Sequence, residues 1–233
     1  MNAFEHTRLT LAYVKQRNPE VILFYSGGKD SIVLLHMLSS VFTRVHCVFM
    51  YFIPDLDQYK PYLSHVYNYP NAVLHQFPHW MTSQYLKHNY FCHPLPGTNI
   101  RVFKQSDVEQ KAREITGCEY IFFGHKMADN LNRRLMLKTY QFDSINEVNK
   151  KVYPLSHWTK KNVKSYIQIK QLIKPVEYGI QNSNGVDLTE NSLVHIRANF
   201  PSDLEKILNV FPLAGKILYE YDYRKQNASA SEV

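Results

Sequence analysis

The chain has 233 residues, 45% of them hydrophobic and 20% charged, which is the balance of a soluble globular protein able to bury a core without disulfides or metals. No run approaches the ~18 apolar residues of a membrane span, and the start, MNAFEHTRLT, lacks the apolar segment of a secretory signal. The net charge is +7, and three widely spaced cysteines, Cys47, Cys92 and Cys118, form neither a CxxC nor a disulfide framework, which predicts a reducing, cytoplasmic setting.

Residues 21–25 (VILFY) are a short apolar run that reads as a buried strand. Residues 31–40 (SIVLLHMLSS) are apolar on nearly every side and read as a helix under other layers. Residues 45–51 (VHCVFMY) read as a second strand, and residues 56–67 as a helix with Pro61 in its first turns. Residues 72–77 (AVLHQF) are a third strand; residues 79–99 carry no assignment beyond a loop marked by Pro94, Pro96 and Gly97. Residues 106–116 read as a helix capped by Ser106 with Glu109, striped by Val108, Ala112 and Ile115 and stopped by Gly117. Residues 119–123 (EYIFF) are a fourth strand, residues 127–138 a helix, and residues 151–155 a fifth, short strand. Thr159 is a candidate N-cap for a helix whose buried stripe is Val163, Tyr166 and Ile167.

Strands alternating with helices predict an α/β domain over residues 1–173, with a doubly wound, mostly parallel five-stranded sheet. From residue 174 the pattern changes to a polar loop (179–185) and two helices (188–199 and 202–210) separated by Pro201, a helical C-terminal extension running to residue 226. The small polar tail 227–233 (NASASEV) is predicted to be disordered.

The sharpest chemical signal is Ser26-Gly27-Gly28-Lys29-Asp30-Ser31, between the first strand and its helix. Two glycines allow a tight turn and close approach of a ligand to the backbone, and helix-start N–H groups favour an anion. Ser26 and Ser31 offer hydroxyls and Lys29 a positive charge. Asp30 either holds Mg²⁺ or fixes the loop by accepting backbone N–H bonds. The pattern is not GxxxxGK[ST]. It resembles the SGGxDS loop of the PP-loop ATP pyrophosphatases, the adenine nucleotide alpha hydrolase-like superfamily. That resemblance implies ATP as ligand, cleavage between its α and β phosphates, and magnesium.

Gly124-His125-Lys126-Met127-Ala128-Asp129-Asn130, after the fourth strand, resembles the same superfamily's GHxxxD segment. If the fourth strand lies beside the first, both loops face one crevice. His125, Lys126, Arg133 and Arg134 are then candidates for the α-phosphate or its acceptor, although Asp129 and Arg133, four residues apart, could simply pair. Gly124 would let the backbone pass close to the nucleotide, and Met50, Tyr51 and Phe52, at the end of the second strand, would border adenine.

Residues 153–163 (YPLSHWTKKNV), followed by Tyr166-Ile167, resemble the PLxxWTxxDVxxYI stretch of the phosphoadenosine phosphosulfate (PAPS) reductase branch, with Asn162 where the branch has an acid. Residues 185–212 resemble phage-borne members of that branch. One departure matters for activity: reductases of the branch use a nucleophilic cysteine in the C-terminal tail, and no cysteine follows Cys118. The resemblance therefore implies adenylylation of an acceptor with release of pyrophosphate. A reductase borrowing a partner's thiol and a nucleotide-binding module without turnover are the alternatives.

Residues 150–174 hold seven lysines and no acid. They suit a phosphate-bearing acceptor such as a nucleic acid, with Lys160, Lys161 and Lys164 as its contacts, or else form a solvated helix face. Cys92 with His75, His79, His88 and His93 contains zinc-ligand types in a spacing that matches no usual zinc pattern.

Overall fold

The computed structural model describes residues 2–94, 97, 99–175, 177–178, 181–182 and 188–230. They divide into two compact units: residues 1–49, 61–77 and 108–176, and residues 50–60, 78–107 and 177–233. Where the sequence suggested a first domain over 1–173, the second unit also takes residues 50–60 and 78–107.

The chain opens with α1 (Ala3–Lys15), capped by the Asn2 side chain on the Glu5 N–H. Then come β1 (Glu20–Phe24), α2 (Lys29–Ser39), β2 (Arg44–Tyr51), a 3-10 turn (Asp57–Tyr59), α3 (Lys60–Val66), β3 (Ala72–Pro78) and α4 (Trp80–Lys87). The middle of the chain adds α5 (Gln105–Thr116), β4 (Ile121–Phe122), α6 (Leu131–Lys138), β5 (Ile145–Asn146), β6 (Lys151–Val152) and α7 (Lys160–Ile169). The last part holds a hairpin of β7 (Glu177–Tyr178) and β8 (Gln181–Asn182), then α8 (Glu190–Asn199), α9 (Pro201–Val210) and α10 (Ala214–Ala230).

The main sheet has six strands in the order β3-β2-β1-β4-β6-β5. β1 lies parallel to β2 and β4, and β4 parallel to β6. The predicted doubly wound α/β class holds, but the predicted five strands gain β5, an antiparallel edge on β6. Two residues with no apolar period give a sequence reading nothing to detect. Strand order reverses direction between β1 and β4, the switch point at which doubly wound sheets bind ligands.

The core lies in the first unit. Val21, Leu23, Ile32, Leu35, Phe122, Val152 and Leu155 are all fully buried within one apolar cluster. Trp158, 3% exposed, anchors α1 by donating its Nε1–H to the Ala3 carbonyl and the Thr7 hydroxyl.

Several local expectations shift. α5 begins at Gln105 rather than after Ser106: the Asp107 carboxylate, not Ser106 with Glu109, closes its start by accepting the Lys104 N–H at 2.7 Å. Ile115 is half exposed, while Glu109 on the neighbouring face is buried against Lys151. α6 starts at Leu131, because the Asn130 side chain caps it through the Arg133 N–H at 2.8 Å, and residues 127–130 remain a turn. The unassigned stretch after residue 79 contains α4, capped by His79 Nδ1 on the Met81 N–H.

The tail expected to be disordered is helical through residue 230, and residues 231–233 lie outside the described residues. α10 is tied to α8 by Arg197–Asp222 and Arg224–Glu190 ion pairs, contacts that composition does not disclose. Most of the polar loop 179–185, with residues 183–185 among the rest, also lies outside the described residues.

Candidate functional site

The first loop leaves β1 at its carboxyl end. Gly27 has φ +70°, which favours glycine, and a Cβ there would also stand 3.2 Å from the Tyr62 side chain, a tight fit. Gly28 caps α2 in an extended conformation with no side-chain cap bond, which leaves the start of an 11-residue helix open to an anion. The two serines organise the turn. The Ser31 hydroxyl donates to the Gly28 carbonyl at 2.9 Å and accepts the Ser26 N–H at 3.2 Å. Ser31 is buried and Ser26 exposed, so Ser26 is the hydroxyl facing solvent.

The second loop leaves β4, hydrogen-bonded beside β1, so the two candidate loops do meet. Gly124 is required by the packing of the two loops themselves. A Cβ on it would stand 2.7 Å from the Asp30 Cβ, so its close neighbour is the first loop itself. Lys126 is 2% exposed, and its ammonium bridges Asp30 Oδ2 at 2.7 Å and Asp129 Oδ1 at 3.1 Å. Lys29 adds a contact to Asp30 at 3.3 Å, and Arg133 pairs with Asp129 at 2.7 Å. Lys126 is thus a latch between loops. Arg133 is held by the i,i+4 carboxylate, and Arg134, exposed, reaches the Met127 carbonyl at 3.4 Å.

Three cations (Lys29, Lys126, Arg133) and two carboxylates (Asp30, Asp129) leave this cluster at net +1. Such a cluster beside an uncapped helix start favours phosphate oxygens. It does not fit magnesium at Asp30, whose Oδ2 faces two ammonium groups and whose Oδ1 is buried without a partner among the described residues. Of the two roles open to Asp30, the geometry favours fixing the loops. Burial alone would raise the Asp129 carboxyl, but hydrogen bonds from the Lys126 backbone and ammonium and from Arg133 hold it below the usual carboxylate range.

His125 stacks on Tyr153 and Phe123, with centroids 5.6 and 5.8 Å away. Burial, reinforced by Arg133, pushes it down to about 4, so the ring is neutral near pH 7. As a candidate for the α-phosphate or its acceptor it offers a hydrogen bond rather than a positive charge. Its Nδ1 is buried without a partner among the described residues. The sequence marked Tyr62 only as part of a helix and Tyr153 only as the start of the 153–163 motif; their places against Gly27 and His125 come from parts of the chain distant from those loops.

Met50, Tyr51 and Phe52, expected at adenine, belong to the second unit. Phe52 is buried there in a stack with His79 and Tyr85, centroids 4.5 and 5.3 Å away, so its ring is a packing element.

Of the seven lysines in 150–174, Lys150 pairs with Glu147 and Lys151 with buried Glu109. Lys160, Lys161 and Lys164 are exposed on α7, whose start is closed by a reciprocal Thr159–Asn162 capping box. Asn162, where the resembled motif has an acid, thus retains a capping function. All three cysteines are buried, and burial pushes each thiol up, Cys47 to about 12. Among the described residues Cys92 is not gathered with His75, His79, His88 and His93 into a metal-ligand cluster: Cys92 donates to the Tyr85 carbonyl, His79 caps α4, and His75 belongs to the other unit.

A mostly parallel sheet with its switch point between two such loops defines a doubly wound α/β protein. The phosphoadenosine phosphosulfate reductase domain model matches residues 20–176, and the chain belongs to that family, within the PP-loop superfamily. No curated protein matches the chain. Among solved structures, an NH3-dependent NAD synthetase from Campylobacter jejuni, in complex with nitrate ion, is similar over 94% of this chain and 93% of its own, with a TM-score of 0.49 and 12% identity. At that distance the likeness bears on neither ligand nor reaction.

Proposed function

We propose that the protein binds ATP at the loops 26–31 and 124–130 and cleaves it between the α and β phosphates, adenylylating an acceptor and releasing pyrophosphate. The observation that carries this reading is the net-positive latch of Lys29, Asp30, Lys126, Asp129 and Arg133 beside the uncapped start of α2. In the reaction, an acceptor oxygen or nitrogen forms a bond to the α-phosphorus while the bond from the α-phosphorus to the α–β bridging oxygen breaks. The electron pair leaves with pyrophosphate. The N–H groups at the start of α2, Lys29 and the Ser26 hydroxyl stabilise the growing negative charge on that leaving group. Neutral His125 is suited to hold the acceptor by a hydrogen bond.

The family's name favours a second reading, reduction of a sulfonucleotide. Three buried cysteines with raised thiols provide no nucleophile, so this reading requires a partner's thiol.

The test is pyrophosphate release from ATP, supplied with magnesium, across nucleobase, tRNA and sulfonucleotide acceptors, with sulfite measured in parallel. Gly28→Val is the control: φ −75° suits any residue, so the backbone tolerates it, while the side chain blocks phosphate approach. Acceptor-dependent pyrophosphate release that Gly28→Val abolishes is the expected result. Sulfite without pyrophosphate would establish the second reading, and binding without either product would make the chain a nucleotide-binding module.

A further inference from the structure

A second constellation lies at the opposite end of the same sheet. Glu20 is the first residue of β1 and pairs in register with Arg44, and His46 stands two residues on in β2, opposite Ile22. The two-residue period of strands puts Glu20 and His46 on one face. α5 ends at Thr116, Gly117 turns the chain with φ +71°, and Cys118 follows at once. One ligand-type atom from each of Glu20, His46 and Cys118 lies within 4.8 Å of the others.

We propose that Glu20, His46 and Cys118 form a zinc site, with His75 orienting the histidine ligand from outside. The His46 Nε2 to Glu20 Oε2 separation is 3.4 Å, long for a hydrogen bond. It matches the edge of a tetrahedron with bonds of about 2.0–2.1 Å, those of zinc to nitrogen and carboxylate oxygen. Carboxylate, imidazole and thiolate together suit zinc better than magnesium or calcium.

The outer contact is also in place. His46 Nδ1 lies 3.0 Å from His75 Nε2. A His46 tautomer with its proton on Nδ1 donates to His75 and leaves Nε2 free for the metal, as ligating histidines are commonly oriented. The other Glu20 oxygen faces the Arg44 guanidinium at 3.9 Å, which holds the carboxylate with Oε2 towards His46. His46 and Cys118 are buried and the Glu20 side chain is 37% exposed, which opens an entry path from solvent. On binding, the Cys118 thiol exchanges its contact with the Thr116 carbonyl for a sulfur–zinc bond, and its proton leaves to water. Three protein ligands leave the fourth position to water. The site stands about 20 Å along the strand direction from Ser26, so it is independent of the phosphate loop.

The experiment uses the full chain stripped of metal by chelator, with Co²⁺ as spectroscopic probe and Zn²⁺ as competitor. The expected result is one equivalent of Co²⁺ with a thiolate charge-transfer band and tetrahedral visible bands, displaced by one equivalent of Zn²⁺. Cys118→Ser should remove the charge-transfer band, and Glu20→Gln should weaken binding at least about tenfold. His75→Phe should keep the band and weaken binding about 10–100-fold. Circular dichroism checks folding; if Cys118→Ser does not fold, Glu20→Gln, at a partly exposed position, decides. No Co²⁺ binding by the parent, a charge-transfer band that survives Cys118→Ser, or parent-like affinity in Glu20→Gln would overturn the proposal.

Discussion

Gly124→Ala tests how the two loops are joined. The new Cβ would stand 2.7 Å from the Asp30 Cβ, 3.5 Å from its carbonyl carbon and 3.7 Å from its Cα. Carbon atoms at rest sit about 3.5–4.0 Å apart, so the loops must separate by about 1 Å. Asp30 cannot yield freely, because Lys126 holds its carboxylate at 2.7 Å from the Gly124 side and Lys29 holds it at 3.3 Å. Overpacking of this kind costs about 1–3 kcal/mol. For a chain of this length a 2 kcal/mol loss lowers Tm by roughly 4–8 °C. Since Asp30 lies in the first turn of α2, the same shift moves the N–H groups expected to meet phosphate, and ATP affinity should fall at least about tenfold, or 1.4 kcal/mol. Thermal melts and calorimetric titration with ATP measure the two effects. Gly117→Ala is the control: φ +71° makes it costly, by roughly 1–2 kcal/mol, but nothing lies within 4 Å of the new Cβ, so ATP affinity should hold. A Gly124→Ala protein with parental Tm and parental ATP affinity would refute the close approach.

Lys126→Met should destabilise by about 2–3 kcal/mol, at or below the low end for breaking a buried ion pair, because Asp30 keeps Lys29 and Asp129 keeps Arg133. Adding Asp30→Asn should restore part of that loss in a double-mutant cycle, and strict additivity would show that the contact carries no energy. The latch should also weaken in acid. The folded Asp129 carboxyl is depressed, so its stabilisation is fully present above the unfolded value of 3.8 and disappears as pH falls through the lower folded value; a Lys126 variant should show a smaller acid-dependent loss in urea melts. The triple variant Lys160→Ala, Lys161→Ala, Lys164→Ala should keep its Tm or gain slightly, since Lys160 and Lys161 stand at the positive end of α7. If α7 meets a phosphate-bearing acceptor, the parent should bind tRNA or single-stranded DNA at low salt and the variant markedly less, whereas equal binding or none removes α7 from the acceptor site.

Much of the site was legible because it is built from local signals. The order strand, Gly27-Gly28, helix predicts a tight loop with free helix-start N–H groups whatever lies elsewhere, since a glycine turn and uncapped N–H groups are properties of a few consecutive residues. The class of fold followed from apolar runs alternating with helical periods, and Thr159 with Val163 and Ile167 gave α7 its cap and buried face. What tertiary structure alone decided are the partners. Lys126 reads in sequence as a free cation beside a nucleotide; a buried position between Asp30 and Asp129 makes it a latch. His125 reads as a candidate contact for the α-phosphate or its acceptor; burial among Tyr153 and Phe123 keeps it neutral. Cys118, with no pattern around it, meets Glu20 and His46 only because parallel pairing of β1 with β2 and the turn at Gly117 bring the three together. Charge state and ligation depend on neighbours supplied by distant parts of the chain, and the chain's own period does not encode their approach.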